Sequence, residues 1–449
     1  MALSRLAPLA PLTLVALLPR PSAAQEGPWD AALHLLPPSR VAEFNARCLD
    51  GSQPGYYIRK ASSPSTKWKI RGSRTRHPAR KFRRAHHSAK LTLRSTWRPR
   101  TSPIISDAQG GGWCTSPGDC AGRANSLLGS SSTWPPYLST FWLPGEGAGF
   151  YGLMDFNSTS VNPFGESFNF VWLAYCDGTS QTSDATEPVI VGSQTIFLRG
   201  RAIFDANLAE LEAAEGFLST ATEVIFSGTS AGGVSAYLHP SVLRSRLLVP
   251  NARVVSVPDA GYFLDHATMA PPHAHQWLST LETAFAFWNA TLRGDAAACA
   301  AAYADAPAKC LFPQYLHAFS TVPTFILNSF MDTANLGICF SATCNPYTDC
   351  NATQLAQILA YGADIVSNVT ASVALHGDRD GFFLTSCYQH EESCRADDWY
   401  RIQISGQSAN NTFAAWYAGG GADAGARRTD VIWPGDATCA PQGVNHGAC

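Results

Sequence analysis

A chain of 449 residues that is 45% hydrophobic and 15% charged, with 32 Lys and Arg against 34 Asp and Glu, has the composition of a folded globular protein. This excludes a disordered, collagen-like or coiled-coil chain. A formal net charge of −2 gives no global attraction to nucleic acid or to an anionic membrane surface.

The first predicted element is a secretory signal peptide over residues 1–24: Arg5, an apolar stretch from Leu6 to Leu18, then Pro21-Ser22-Ala23-Ala24, small residues where a signal peptidase cuts. No later stretch reaches 18 consecutive apolar residues, so no membrane span is expected and residues 25–449 are expected to be secreted as one domain. Sequons at Asn157, Asn289, Asn351, Asn368 and Asn410 fit glycosylation on that route. Thirteen cysteines in an oxidising compartment imply several disulfides, Cys114–Cys120 being one tight local pair, with at least one thiol left over. Cys339, Cys344 and Cys350 are expected to pair among themselves or with Cys299 and Cys310; their spacing is not the C-x2-C of a zinc site.

Residues 71–100 hold eleven Lys or Arg, no Asp or Glu, and no apolar periodicity, which predicts an unstructured basic insertion over 71–109. Its chemistry suits an arm for acidic polysaccharide or a membrane surface; its position, discussed below, suits a retained intron. From Phe168 onward short β-rich runs alternate with longer helical ones, which predicts an α/β fold with a mostly parallel sheet. The strands are expected at Phe168–Tyr175, Glu223–Phe226, Arg253–Val257, Thr324–Ser329 and Gly381–Thr385, and the helices at Gly200–Leu218, His275–Leu292 and Ala352–Leu375.

Chemistry concentrates where the strand at Glu223 ends in GTSAGG, so that Ser230 is the centre of a G-x-S-x-G between strand and helix. A serine on so sharp a turn has a strained backbone, and small neighbours let strand and helix approach while Oγ points outward. Such a serine needs a base and an acid to orient it, in the order Ser, Asp or Glu, His. His390 follows the strand Gly381–Thr385 at the carboxyl edge, where open sheets build their sites; His376 precedes that strand, and His446 sits near the cysteine-rich C-terminus. For the acid, Asp332 and Asp259 both follow predicted strands, and Asp332 is favoured because its strand immediately precedes that of His390. An oxyanion needs backbone donors: the N–H of Ala231, and a second from Gly110-Gly111-Gly112-Trp113, where a Cβ would keep the backbone from the substrate.

The ordered motifs resemble the pectin acetylesterase/Notum family of secreted serine hydrolases: CLDG at Cys48–Gly51 with PGYY, GGGWC at Gly110–Cys114, NPF at Asn162–Phe164, YCDG at Tyr175–Gly178, GTSAGG around Ser230, DAGYFLD at Asp259–Asp265, NSFMD ending at Asp332 and SCYQH ending at His390. The resemblance implies an α/β-hydrolase-like fold, a triad of Ser230, Asp332 and His390, an oxyanion hole from Gly111, Gly112, Trp113 and Ala231, and no metal or cofactor. It implies deacetylation of a cell-wall or extracellular polysaccharide, the CLDG and YCDG motifs looking like the plant branch. The alternatives are a Notum-like deacylase removing a fatty acyl group from a secreted protein and a non-catalytic glycan-binding protein on a hydrolase scaffold. Two features depart from the family pattern. Members run almost directly from the strand matching Lys67–Ile70 into the glycine run, whereas 39 residues, 71–109, intervene here; and Val431-Ile432-Trp433-Pro434 stands where a further cysteine is expected.

Overall fold

The computed structural model describes residues 30–72, 111–139, 152–154, 164–393, 396–420, 424–431 and 438–439. The predicted signal peptide, residues 73–109 of the basic insertion, Gly110, Asn157, Asn162 and His446 lie outside them.

Ten strands form one sheet: β1 (Asp30–Leu35), β2 (Gly55–Arg59), β3 (Lys67–Gly72), β4 (Tyr137–Ser139), β5 (Asn169–Leu173), β6 (Glu223–Thr229), β7 (Arg253–Asp259), β8 (Phe325–Ser329), β9 (Gly381–Thr385) and β10 (Arg427–Thr429). Their spatial order is β10-β9-β8-β7-β6-β3-β5-β2-β1-β4. Every pairing from β10 to β5 is parallel, and those joining β5, β2, β1 and β4 are antiparallel. The parallel strands are buried on both faces and so read as near-continuous apolar runs, which is why β5 to β9 were predictable; β1, β2 and β4 lack that signature and were not.

Alternation along the strands sends side chains into two cores. Phe325, Leu327 and Phe383 enter one cluster with Phe204, Phe226 and Val255, while Ile326, Phe382 and Leu384 enter the other with Tyr262, Leu264 and Tyr361. Helices α1 (Gly200–Glu215), α2 (Ala231–Leu238), α3 (Gln276–Phe287), α4 (Thr333–Ile338) and α5 (Ala352–Ala374) fill the connections. The longest, α5, starts at a capping box: Asn351 Oδ1 accepts from Gln354 N at 2.9 Å and Gln354 Oε1 from Asn351 N at 3.0 Å. It buries Ile358, Tyr361, Ile365 and Val369, one face of a 3.6-residue period. Among the described residues no helix is long and apolar enough to cross a membrane.

Two sequence expectations shift. Arg71 and Gly72, read as the start of the basic insertion, are the last residues of β3; Arg71 is buried, paired in register with Ser227 and Trp172, and its guanidinium lies 5.6 Å from the Trp172 ring. A buried strand is continued by its pairing partners, not by its own hydropathy. Asn410 is buried, so its sequon is not displayed on the surface, whereas Asn289 and Asn351 are exposed.

Among the described residues, disulfides join Cys48–Cys176, Cys114–Cys120, Cys299–Cys310, Cys344–Cys350 and Cys387–Cys439. Such bonds persist in oxidising compartments. Cys339 is a buried free thiol, and burial drives its pKa up. With Cys344 and Cys350 bonded to each other, these three residues form no zinc set.

Candidate active site

The carboxyl ends of β6, β8 and β9 bring Ser230, Asp332 and His390 to one edge of the sheet. Ser230 joins β6 to α2 with φ 57° and ψ −123°, a left-handed conformation that a β-substituted residue adopts only when its surroundings enforce it. Enforcement comes from both sides: Ser230 N donates to Asp259 O at 2.9 Å, and Ser230 O accepts from Val234 N at 3.1 Å in the first turn of α2.

Asp332 is fully buried and caps α4. One carboxylate oxygen accepts from Asn335 N at 2.8 Å and the other from His390 Nδ1 at 2.7 Å. With the carboxylate anchored at a helix start, the imidazole is held in the tautomer that leaves Nε2 without its proton. His390 Nε2 is buried and has no hydrogen-bond partner among the described residues. Burial alone would lower the His390 pKa, but the charge and hydrogen bond of Asp332, helped by Glu391 and Asp259, outweigh it and raise the pKa above the usual histidine range.

Asp259, the rival for the acid position, points elsewhere. Its carboxylate accepts from Glu392 N and from Ser393 N and Oγ, and the hydrogen bond from His390 Nδ1 goes to Asp332. Burial and then the neighbouring Glu391 carboxylate push Asp259 up to about 6 against those hydrogen bonds and the charge of Arg71.

The glycine run lies beside α2. A Cβ on Gly111 would fall 3.1 Å from the Tyr175 ring and 4.0 Å from Ala231 Cβ, and Gly112 sits at φ 46°. Three residues with no role assigned from sequence set the loop. Tyr175 Oη donates to Gly112 O at 2.9 Å, Arg123 donates to the carbonyls of Gly111 and Gly112, and Ser180 accepts from Trp113 Nε1 at 2.7 Å while donating to Ala231 O at 2.7 Å. Tyr175 lies within the YCDG motif; Arg123 and Ser180 carry no motif signal at all. The Cys114–Cys120 disulfide closes the loop behind Trp113. Ala231 N–H opens α2, where the first amides have no intrahelical acceptor.

An apolar cavity of about 10 Å³ lies between Trp113, Val234, Phe263, Trp277 and Phe312. Phe263 faces the His390 ring edge-on with centroids 6.4 Å apart.

One group of described residues has metal-ligand side chains: His317, His376 and Asp380. Its acceptors are already engaged. Arg379 donates to both Asp380 oxygens at 2.8 Å, Thr324 N donates to one of them at 2.9 Å, and His376 Nε2 meets His317 O at 2.7 Å. Burial opposes the charge, but Arg379 and His317 hold Asp380 down to about 2. This is an ion-paired brace at the start of β9, the amino end of that strand, where the sequence had placed His376.

The pectinacetylesterase family model matches residues 102–440. By sequence, pectin acetylesterase 11 of Arabidopsis thaliana is 26% identical over 374 residues, 80% of either chain. The palmitoleoyl-protein carboxylesterase NOTUM of Schmidtea mediterranea is 22% identical over 388 residues, covering 83% of this chain and 61% of that protein. Among solved structures, the Wnt deacylase Notum from Drosophila superposes with a TM-score of 0.70 at 21% identity, over 92% of this chain and 100% of that one, a likeness of fold.

Proposed function

The chain belongs to the pectinacetylesterase family, and on that premise we propose that it is a secreted carboxylic-ester hydrolase that removes acetyl groups from a cell-wall or extracellular polysaccharide. Ser230 Oγ attacks the ester carbonyl as His390 Nε2 takes its proton. Asp332 holds Nδ1–H and stabilises the imidazolium that forms. Backbone N–H groups of the Gly111-Gly112-Trp113 stretch and of Ala231 receive the oxyanion. The imidazolium returns its proton to the departing sugar oxygen, leaving an acetyl ester on Ser230. Water then attacks that ester, His390 again accepting and returning the proton, and acetate leaves.

The observation that carries this reading is the 2.7 Å bond between His390 Nδ1 and Asp332, which leaves Nε2 buried and unpartnered at the edge that holds the left-handed Ser230. Family membership favours the acetylesterase over the fatty-acyl deacylase: the pectinacetylesterase family model spans residues 102–440, and the match covers 80% of pectin acetylesterase 11 against 61% of the NOTUM protein.

Initial rates on acetyl and octanoyl p-nitrophenyl esters test the choice, with acetyl expected to be the faster; a strong preference for octanoyl refutes it. Ser230→Ala is expected to lower kcat by roughly 10⁴-fold or more. Full activity in that variant removes Ser230 from the mechanism, and an intact glycan-binding protein with no turnover before substitution would support the non-catalytic alternative.

A further inference from the structure

Two loops must meet for Ser230 and His390 to react, and they come from strands that are not neighbours: β6 and β9 are separated in the sheet by β7 and β8. A residue at the end of β7 touches both. Asp259, the last residue of β7, is fully buried and pairs in register with Thr229, the residue before Ser230. Its backbone oxygen accepts the N–H of Ser230 at 2.9 Å. Its side chain reaches the other way. Glu392 N donates to its two oxygens at 2.9 and 3.0 Å, and Ser393 N and Ser393 Oγ donate to one of them at 2.7 Å each.

Those donors follow His390 directly. Glu391, the residue between, has φ 72°, a left-handed value uncommon outside glycine. A strained residue persists where its neighbours over-determine it, and the converging amides of Glu392 and Ser393 on one carboxylate do so here. Asp332 sets the rotation of the imidazole; nothing in that contact fixes how far the loop carrying it stands from Ser230.

We infer that Asp259 is a positioning residue that clamps the Ser230 turn to the His390 loop and so sets the separation of Nε2 and Oγ from which the reaction starts. The inference rests on the Ser230–His390 reading above. It requires an acceptor at the Oδ2 position, and a negative charge there is not needed: asparagine oriented with its oxygen at that place still accepts from Ser393 N and Ser393 Oγ, although its amide nitrogen then faces Glu392 N in the Oδ1 place, whereas alanine loses every one of these bonds.

Asp259→Ala, Asp259→Asn and Ser230→Ala are compared with wild type on p-nitrophenyl acetate, with kcat and KM separated, and the same preparations are titrated with a fluorophosphonate that phosphonylates a nucleophilic serine. Asp259→Ala is expected to lower kcat and the phosphonylation rate together by about 10²-fold, the usual cost of a displacement near 1 Å. KM is expected to stay within about threefold, because binding of the small ester does not use the clamp. Asp259→Asn, which keeps the two Ser393 bonds, is expected to recover part of the loss. Wild-type kcat in Asp259→Ala, a loss carried by KM, or equal losses in Ala and Asn would each overturn the inference. Should Asp259→Ala fail to fold, Ser393→Ala removes one of the bonds: a several-fold lower kcat at unchanged KM supports the clamp, and an unchanged kcat overturns it. Turnover and phosphonylation surviving in Ser230→Ala would defeat the catalytic reading itself, whereas a dead Ser230→Ala beside a fully active Asp259→Ala would defeat only the clamp.

Discussion

Gly233→Ala tests whether the close approach of α2 to β7 is what presents Ser230. A Cβ at Gly233 would stand 2.7 Å from Asp259 O, 2.7 Å from Gly261 Cα and 3.0 Å from Gly261 N. Gly261 faces it in the same way, its own Cβ falling 2.6 Å from Gly233 C. Carbon contacts are normally about 3.5–4.0 Å, so the shortfall is about 1 Å. The obstructing atoms are all backbone, and no rotamer change can relieve them. Helix and strand must therefore separate by about that distance, carrying Ser230 away from a His390 loop that stays bound to Asp259. Overpacking of this kind costs about 1–3 kcal/mol, offset by up to about 1 kcal/mol from replacing a helical glycine with alanine. The expected result is a modest loss of stability, about 1–2 kcal/mol by urea denaturation, and a loss of about 10²-fold in kcat on p-nitrophenyl acetate. Gly337→Ala is the control. It lies exposed in α4, close behind Asp332 in sequence, with nothing within 4 Å of its Cβ position. It should gain about 0.5–1 kcal/mol and keep full activity. A Gly233→Ala enzyme with wild-type kcat would refute the argument that backbone proximity positions the serine.

Trp277→Ala enlarges the cavity beside Trp113 and Phe263, and is expected to raise the octanoyl-to-acetyl rate ratio; an unchanged ratio would mean that the acyl group lies elsewhere. Because neutral imidazole is the active form and Asp332 raises the His390 pKa, kcat/KM is expected to climb as pH rises through a midpoint above about 6.5; a midpoint below that value contradicts the assigned pair. His239 is buried neutral against Phe204, with Nε2 at 2.9 Å from Ser180 O, and burial depresses its pKa to about 4. Its folded-state pKa lies below the unfolded one, so the stability tied to its neutral form is present above about pH 6.5 and fades as pH falls, by about 3 kcal/mol at pH 4. His239→Gln should flatten that acid limb in melting temperatures measured across the same range, and an unaltered limb would assign the loss to other groups.

Local pattern in the chain was enough to identify the parallel strands from β5 to β9, the helix after Ser230 and the long helix α5, because each carries its own periodicity or cap within a few residues. It also singled out Ser230, since G-x-S-x-G after an apolar run encodes a turn that short-range sterics demand. Pairing across the molecule was not legible in the same way. Asp259 and Asp332 both close apolar strands, and chain order favoured Asp332 without showing the contact; that it is Asp332 which meets His390, 58 positions beyond it, depended on how the loops close over the sheet edge. The same holds for Tyr175, Arg123 and Ser180, ordinary polar residues that become the frame of the glycine loop only after β5 and β6 are brought level by β3. Strands β1, β2 and β4, the spare thiol at Cys339 and the apolar cavity beside Trp113 were likewise decided by tertiary packing. Polar and small side chains have many acceptable partners, and only the assembled sheet determines which of them lie within reach.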